Sequence, residues 1–218
     1  MITNGYNAAW SPDGQKLAFV SDRGGRMRAW VGGADGQLAR EIQGSEYLGN
    51  MAVTWLPDQR LAWQTRDVRD YRIRDLTTGR EEPLLKDPTN GWVFEPQFSP
   101  KGDQVALHFN RSQRGLWLMS WPGRVERFLA PQIVPFGWSA DGRWIYGCPN
   151  GTPDVVRVAS DTGAIEPIAS FASGLIGLDN GGCAQTPDRR RAICSPQVDK
   201  TDAWIIDHFD PRATPPKR

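Results

Sequence analysis

The sequence predicts an all-β fold, a β-propeller of five four-stranded antiparallel blades. Three observations carry that expectation. Imperfect copies of one stretch, first met as AAWSPDGQKLAFVSDRGG at residues 8–25, recur along the chain. The composition sets 10 Trp among 23 Gly and 17 Pro in 218 residues, large packing anchors separated by many turns. Several runs are apolar on both parities, as strands covered on two faces must be.

The copies read TWLPDQRLAWQTRD (54–67), QFSPKGDQVALHFNRS (97–112), GWSADGRWIYGCPNG (137–151) and AQTPDRRRAICSPQ (184–197). Their anchors, Trp10, Trp55, Phe98, Trp138 and Gln185, follow one another at steps of 45, 43, 40 and 47 residues. A near-constant period marks a repeat architecture, in which each unit hides its apolar faces against its neighbours. Every copy opens with a short run: AAW, AVTW, PQF, FGW or CAQ. Pro, Asp and Gly follow in most of them. Pro presets the first turn angle, Asp bonds nearby backbone amides, and Gly accepts positive φ. Asp13, Asp58 and Asp141 are therefore assigned to turns.

A second run follows each turn: KLAFVS, RLAWQT, QVALHF, WIYGCP and RAICS. Ala18, Ala62, Ala106 and Ala192 recur inside it, small enough to let neighbouring sheets approach. Third runs are MRAWVGG, DYRIRDL, GLWLMSW, VVRVAS and DAWIIDHF. Weaker fourth runs, LAREIQ, EEPLLK, VERFLA and IEPIAS, come after turns such as those at 34–36, 77–79 and 161–163. Each unit is thus a four-stranded meander. A single sheet with two apolar faces is unstable alone, and radial stacking of copies resolves this.

The WSPDG…LAFVSD unit resembles the repeat of TolB-type, WD-repeat-like propellers, over nearly the whole chain. WSPDG (10–14) and WSADG (138–142) match closely, FSPKG (98–102) well, LPDQ and TPDR weakly. The stretch KTDAWIIDHFDP (200–211) resembles the last repeat of propellers fused behind bacterial serine/threonine kinases or winged-helix regulators. The chain holds no Gly-rich phosphate loop, HRD or DFG motif. What the resemblance implies is the propeller, not phosphotransfer.

The propeller is expected over residues 1–209, with blades at 5–43, 50–86, 94–130, 135–169 and 181–208, and a flexible tail at 210–218. The fifth unit lacks a fourth run, because the three prolines of DPRATPPKR discourage pairing. Residues 1–4 are expected to supply it by pairing with the strand around 203–207, which removes an open edge. An arc of a larger ring is the competing arrangement.

A formal charge of +1, with dispersed charges, argues against nucleic acid as a partner. No apolar run is long enough to span a membrane. MITNGYNAAW lacks the basic and apolar regions of a secretory signal, so the chain as given is expected to be cytoplasmic, or periplasmic if a longer N-terminus precedes it. Three cysteines cannot all pair. Buried free thiols are the default, with a bridge between Cys183 and Cys194, on either side of the turn at 187–190, as the alternative. His108 and His208 are the only histidines, too few and too separated for a zinc site. Neither a metal nor another cofactor is expected. Gly-x-Ser-x-Gly, Gly-x-Gly-x-x-Gly and Gly-x-x-x-x-Gly-Lys are absent. No catalytic residue is assigned, and a small metal-dependent hydrolase is the least favoured reading.

The connections that lead from one blade's fourth run to the next blade's first are expected to gather near the axis. They read SEYLGNM (45–51), NGWVFEP (90–96), IVPFGW (133–138) and GLIGLDNGG (174–182). Tyr47, Trp92, Phe94 and Phe136 are their aromatics, and Glu46, Glu95 and Asp179 their carboxylates. Aromatics outside strands are good contact anchors. The expected function is a non-catalytic binding module that holds a protein segment or peptide at the axial mouth. A sensory or regulatory propeller of a bacterial kinase or transcription regulator is the other reading.

Overall fold

A computed structural model of the chain describes residues 5–45, 53–171, 183–186, 188–194 and 204–206. Every regular element among them is a strand. Blade 1 holds β1 (Tyr6–Trp10), β2 (Lys16–Ser21), β3 (Arg28–Gly33) and β4 (Arg40–Glu41). Blade 2 holds β5 (Val53–Trp55), β6 (Leu61–Gln64), β7 (Tyr71–Arg74) and β8 (Glu81–Pro83). Blade 3 holds β9 (Trp92–Phe98), β10 (Gln104–Asn110), β11 (Gly115–Ser120) and β12 (Glu126–Pro131). Blade 4 holds β13 (Ile133–Trp138), β14 (Trp144–Pro149), β15 (Asp154–Ala159) and β16 (Ile165–Ser170). A fifth sheet holds β17 (Cys183–Gln185), β18 (Ala192–Cys194) and β19 (Trp204–Ile206). In each sheet the strands lie side by side in chain order. Among the described residues the fold is therefore four complete four-stranded meanders and a three-stranded fifth. The expected pairing of residues 1–4 lies outside them.

The SPDG turn works through its serine as much as its aspartate. Ser11 Oγ donates to Asp13 Oδ1 at 2.6 Å and accepts from Lys16 N–H at 2.8 Å. Asp13 also accepts from Gln15 N–H at 3.0 Å. Gly14 takes φ 69°, which lets its N–H reach Ser11 O at 2.8 Å. Ser139 and Asp141 repeat the arrangement, and Thr186 and Asp188 do so with a threonine. In SPKGD, Lys101 stands in the usual aspartate position, and Ser99 Oγ finds Asp103 instead, at 2.8 Å. A buried hydroxyl without partners is costly, and here each one ties the two arms of a hairpin together.

The chain divides into two compact units, Met1–Phe94 and Glu95–Arg218. In the first, blades 1 and 2 stack through Ala18, Val20, Ala29, Val31, Trp55, Leu61 and Trp63. In the second, blades 3 and 4 stack through Ala106, Leu116, Leu118, Ile133, Trp138, Ile145 and Val158. Phe136, Tyr146, Cys148 and Val155 of blade 4 meet Cys183, Ala192 and Cys194 of the fifth sheet. Fully burying a side chain such as Leu61 or Ile145 contributes roughly 2 kcal/mol. Ala18 and Ala106 are wholly buried in these two seams, and Ala62 is wholly buried in β6.

The anchor residues do a second job. Trp55 Nε1 donates to Ala9 O of blade 1 at 3.0 Å, and Trp138 Nε1 donates to Gln97 O of blade 3 at 2.8 Å. Each indole fills the gap between two sheets while its N–H bonds the inner strand of the preceding blade. At the fifth sheet Gln185 takes over. Its Oε1 accepts from Trp138 N–H at 3.1 Å, and its Nε2 donates to Trp138 O at 3.0 Å. Gly137 makes room for that clamp: a Cβ there would lie 2.5 Å from Gln185 Oε1.

Two expectations are corrected. Cys183 and Cys194 are not free thiols. They sit directly opposite each other across β17 and β18, with Cα atoms 4.0 Å apart, and are disulfide-bonded. Ala192 is not the counterpart of Ala18 either. Gln185 pairs with Ala192 as Trp10 pairs with Leu17, so Ala192 fills the place of Leu17 and faces blade 4. Ile193 then falls at the register position of Ala18 and is half exposed.

Candidate binding site on the inner strands

The first strand of a propeller blade borders the central channel. In blades 1, 3 and 4 this strand is irregular at one recurring place. Asn7 takes φ 47°, with a register shift between Tyr6 and Ala9. Glu95 takes φ 51°. The ladder of β13 shifts between Pro135 and Gly137. Asn7, Glu95 and Pro135 each stand three residues before their anchor, Trp10, Phe98 or Trp138. A bulge of this kind re-aims side chains and is commonly found beside functional sites. Asparagine tolerates positive φ, so Asn7 is unsurprising there. Glutamate is far less usual, and its backbone is held in a sparsely populated region.

Glu95 is half-buried, and its carboxyl lies where little water reaches it. That loss of water alone raises its pKa to about 7. Trp92 opens the same strand with 45% of its surface exposed, and Phe94 is half-buried. Strand β9 thus carries an exposed indole, a second aromatic and a carboxyl able to change charge near neutrality.

The remaining expected contacts divide two ways. Phe136 is 4% exposed, stacked on Tyr146 at a centroid distance of 6.4 Å. It packs blade 4 against the fifth sheet and does not face a mouth. The reason is local: IVPFGW is a strand buried at every position, which continues past its proline because the ladder shifts there. Tyr47, Glu46 and Asp179 lie outside the described residues.

His108 is a buried strand residue of β10. Burial, with Arg114 nearby, pushes its pKa down to about 4, so it is neutral at physiological pH. Asp70 is buried in blade 2, where burial raises its pKa. Its Oδ1 accepts from Tyr71 N–H at 2.7 Å and Leu85 N–H at 2.9 Å, a structural tie. Among the described residues no three His, Cys, Asp or Glu side chains come together as a metal site. No helix among them is long and apolar enough to cross a membrane.

No protein-family model matches the chain. Solved structures do. TolB from Acinetobacter baumannii superposes with a TM-score of 0.75 at 17% identity, over 94% of this chain and 52% of that one. A TolB from Agrobacterium tumefaciens gives 0.71 at 17% identity, over 94% of this chain and 77% of that one. The fold is that of a TolB-type β-propeller. An oligogalacturonate lyase in complex with manganese shares the fold more loosely, with a TM-score of 0.58 at 14% identity, over 97% of this chain and 76% of that one. Among curated proteins, carboxypeptidase Y homolog A of Trichophyton tonsurans is 27% identical over 122 residues, 54% of this chain and 21% of that protein. The chain spans about half the length of the Acinetobacter TolB and about a fifth of the curated relatives it matches.

Proposed function

We propose that the chain is a non-catalytic binding module that holds a protein segment at the axial mouth of its blades. The observation that carries this reading is Glu95, a poorly hydrated carboxyl at a positive-φ position of an inner strand, with the exposed ring of Trp92 on that strand. Strain and lost hydration both cost free energy, and sites kept at such a cost are commonly functional. An aromatic and an acid presented by a stiff sheet suit a segment that brings one apolar and one basic side chain. Phe94 belongs to this surface, and Tyr47, Glu46 and Asp179 are proposed to join it. The TolB-type fold supports the reading as a scaffold for protein contacts. As a second reading, the resemblance of residues 200–211 to kinase- and regulator-linked propellers favours the same surface acting as a sensor for an effector domain.

The test is binding of a panel of short peptides, basic-aromatic, acidic-aromatic and neutral, measured by fluorescence anisotropy. The basic-aromatic members should bind tightest. Trp92→Ala should weaken them at least about tenfold, a loss of about 1.4 kcal/mol. Glu95→Gln should erase their advantage over neutral peptides. Equal binding of the whole panel by the parent and both variants would refute the assignment of this strand.

A further inference from the structure

Three sulfur atoms meet where blade 4 packs on the fifth sheet. Cys183 is bonded to Cys194 across the hairpin of β17 and β18. Cys148, on β14 of the adjoining blade, is a free thiol whose Sγ lies 3.7 Å from Cys183 Sγ. All three residues are buried, within a cluster that also holds Phe136, Tyr146, Val155 and Ala192. Cys183 is therefore bonded to one cysteine of its own sheet and in van der Waals contact with a second cysteine of the neighbouring one.

We propose that Cys148, Cys183 and Cys194 form an internal thiol–disulfide exchange centre, whose two isomers either close the hairpin of the fifth sheet or staple that sheet to blade 4. The step conserves atoms and electrons. Cys148 Sγ loses its proton and attacks Cys183 Sγ. A Cys148–Cys183 bond forms as the Cys183–Cys194 bond breaks. The electron pair of the broken bond leaves on Cys194 Sγ, which takes up a proton. One disulfide and one thiol are present before and after, so no oxidant or reductant is consumed.

The surroundings favour a slow, gated exchange. Burial pushes the Cys148 thiol up to about 12, so the attacking thiolate is scarce while the seam is closed. Admitting water to the seam lowers that barrier. In the hairpin isomer the described contacts that hold the fifth sheet to blade 4 are the Gln185 clamp and apolar packing, and none of them is covalent. In the stapled isomer a covalent bond crosses the seam and closes a chain segment of 35 residues in place of 11. The exchange thus sets whether the fifth sheet can part from blade 4. It does not depend on what the inner strands bind.

Trypsin separates the three cysteines, since Arg157 lies between Cys148 and Cys183, and Arg189–Arg191 between Cys183 and Cys194. The native chain is incubated at mildly alkaline pH with a trace of small thiol, quenched in acid, alkylated, digested and mapped by mass spectrometry. A Cys148–Cys183 cross-linked pair, with Cys194 alkylated, should appear beside the Cys183–Cys194 pair. It should be lost entirely in Cys148→Ser. A map of the native chain that holds the Cys183–Cys194 pair alone overturns the proposal. Cys194→Ala gives a second arm: treated with oxidised glutathione, the folded variant should close Cys148–Cys183. Two cysteines that stay open in a variant with native circular dichroism would equally overturn it. Should Cys194→Ala fail to fold, the map of the native chain decides.

Discussion

Blade 4 is held from two sides by different chemistry. Towards blade 3 the seam is aliphatic, with Trp138 filling it and spending one indole N–H on Gln97 O. Towards the fifth sheet the seam is aromatic and sulfur-lined, and a carboxamide takes the indole's place. Gln185 uses both its donor and its acceptor on the backbone of Trp138. The same repeat position solves the same problem twice. A large ring obtains its hold mainly from buried area and adds one hydrogen bond. A small polar group obtains it from two hydrogen bonds and adds little area. The first seam should therefore resist polar perturbation and fail when volume is lost, and the second should do the reverse.

Volume loss gives the largest expected effect. Trp138→Ala should cost about 3–5 kcal/mol of unit stability in urea denaturation, since it empties the first seam and removes its hydrogen bond. A cost no greater than that of Gln185→Ala would break the contrast between the seams.

A pH series sharpens it by isolating the strand that leads into the first seam. Glu95 binds its proton more tightly folded, with a pKa of about 7, than unfolded, at 4.5. Its favourable contribution is complete below about pH 4.5 and is lost as pH rises through 7. His108, on β10 of the same blade, runs the other way. With a folded pKa of about 4 against 6.5, its contribution is present above pH 6.5 and lost as pH falls through 4. The two slopes oppose each other over most of that window. Glu95→Gln should gain stability relative to the parent as pH rises from 4.5 to 7, by on the order of 3 kcal/mol. Thermal melts of both proteins across pH 4–8 check this. A parallel pair of curves would contradict it.

Smaller effects probe the second seam. Gln185→Ala leaves the N–H and C=O of Trp138 without that partner and should cost about 1–3 kcal/mol. Gly137→Ala drives a methyl against the same carboxamide and should cost a similar amount, about 1–3 kcal/mol. Because both break one clamp, the double variant should cost much less than the two together. Additive losses in denaturant titrations would mean that Gly137 and Gln185 act separately. The smallest change is expected at Trp55→Phe in blade 2. It keeps a ring in the gap but gives up part of the buried indole with the bond to Ala9 O, at about 1–2 kcal/mol.

Much of the architecture was legible because it repeats. The anchors, the turns and the doubly apolar second strands recur at a near-constant step, and each has a local physical cause. What escaped is what depends on pairing. The one-residue register difference at Ala192 is invisible without the ladder, because Arg189–Arg191 hide where the turn ends and the strand begins. The disulfide followed from two cysteines falling opposite each other, which the same register decides. Phe136 read as a mouth residue because Pro135 suggested a connection, while a bulge lets the strand run on through it. At the candidate site, Trp92 was singled out as an aromatic between expected blades and Glu95 as an acid expected near the axis, and both lie on strand β9. The backbone conformation that singles out Glu95 left no mark in the sequence, since glutamate is not a residue chosen for positive φ. The role of the turn serines was also missed, though Ser11, Ser99 and Ser139 stand in register in plain view.

The anchor bonds share a direction. Trp55 reaches Ala9, Trp138 reaches Gln97, and Gln185 reaches Trp138. Each latch belongs to the later sheet and each catch to the earlier one. A chain leaving the ribosome thus finds every catch already synthesised when its latch emerges, and can grow by adding one sheet at a time to a finished surface.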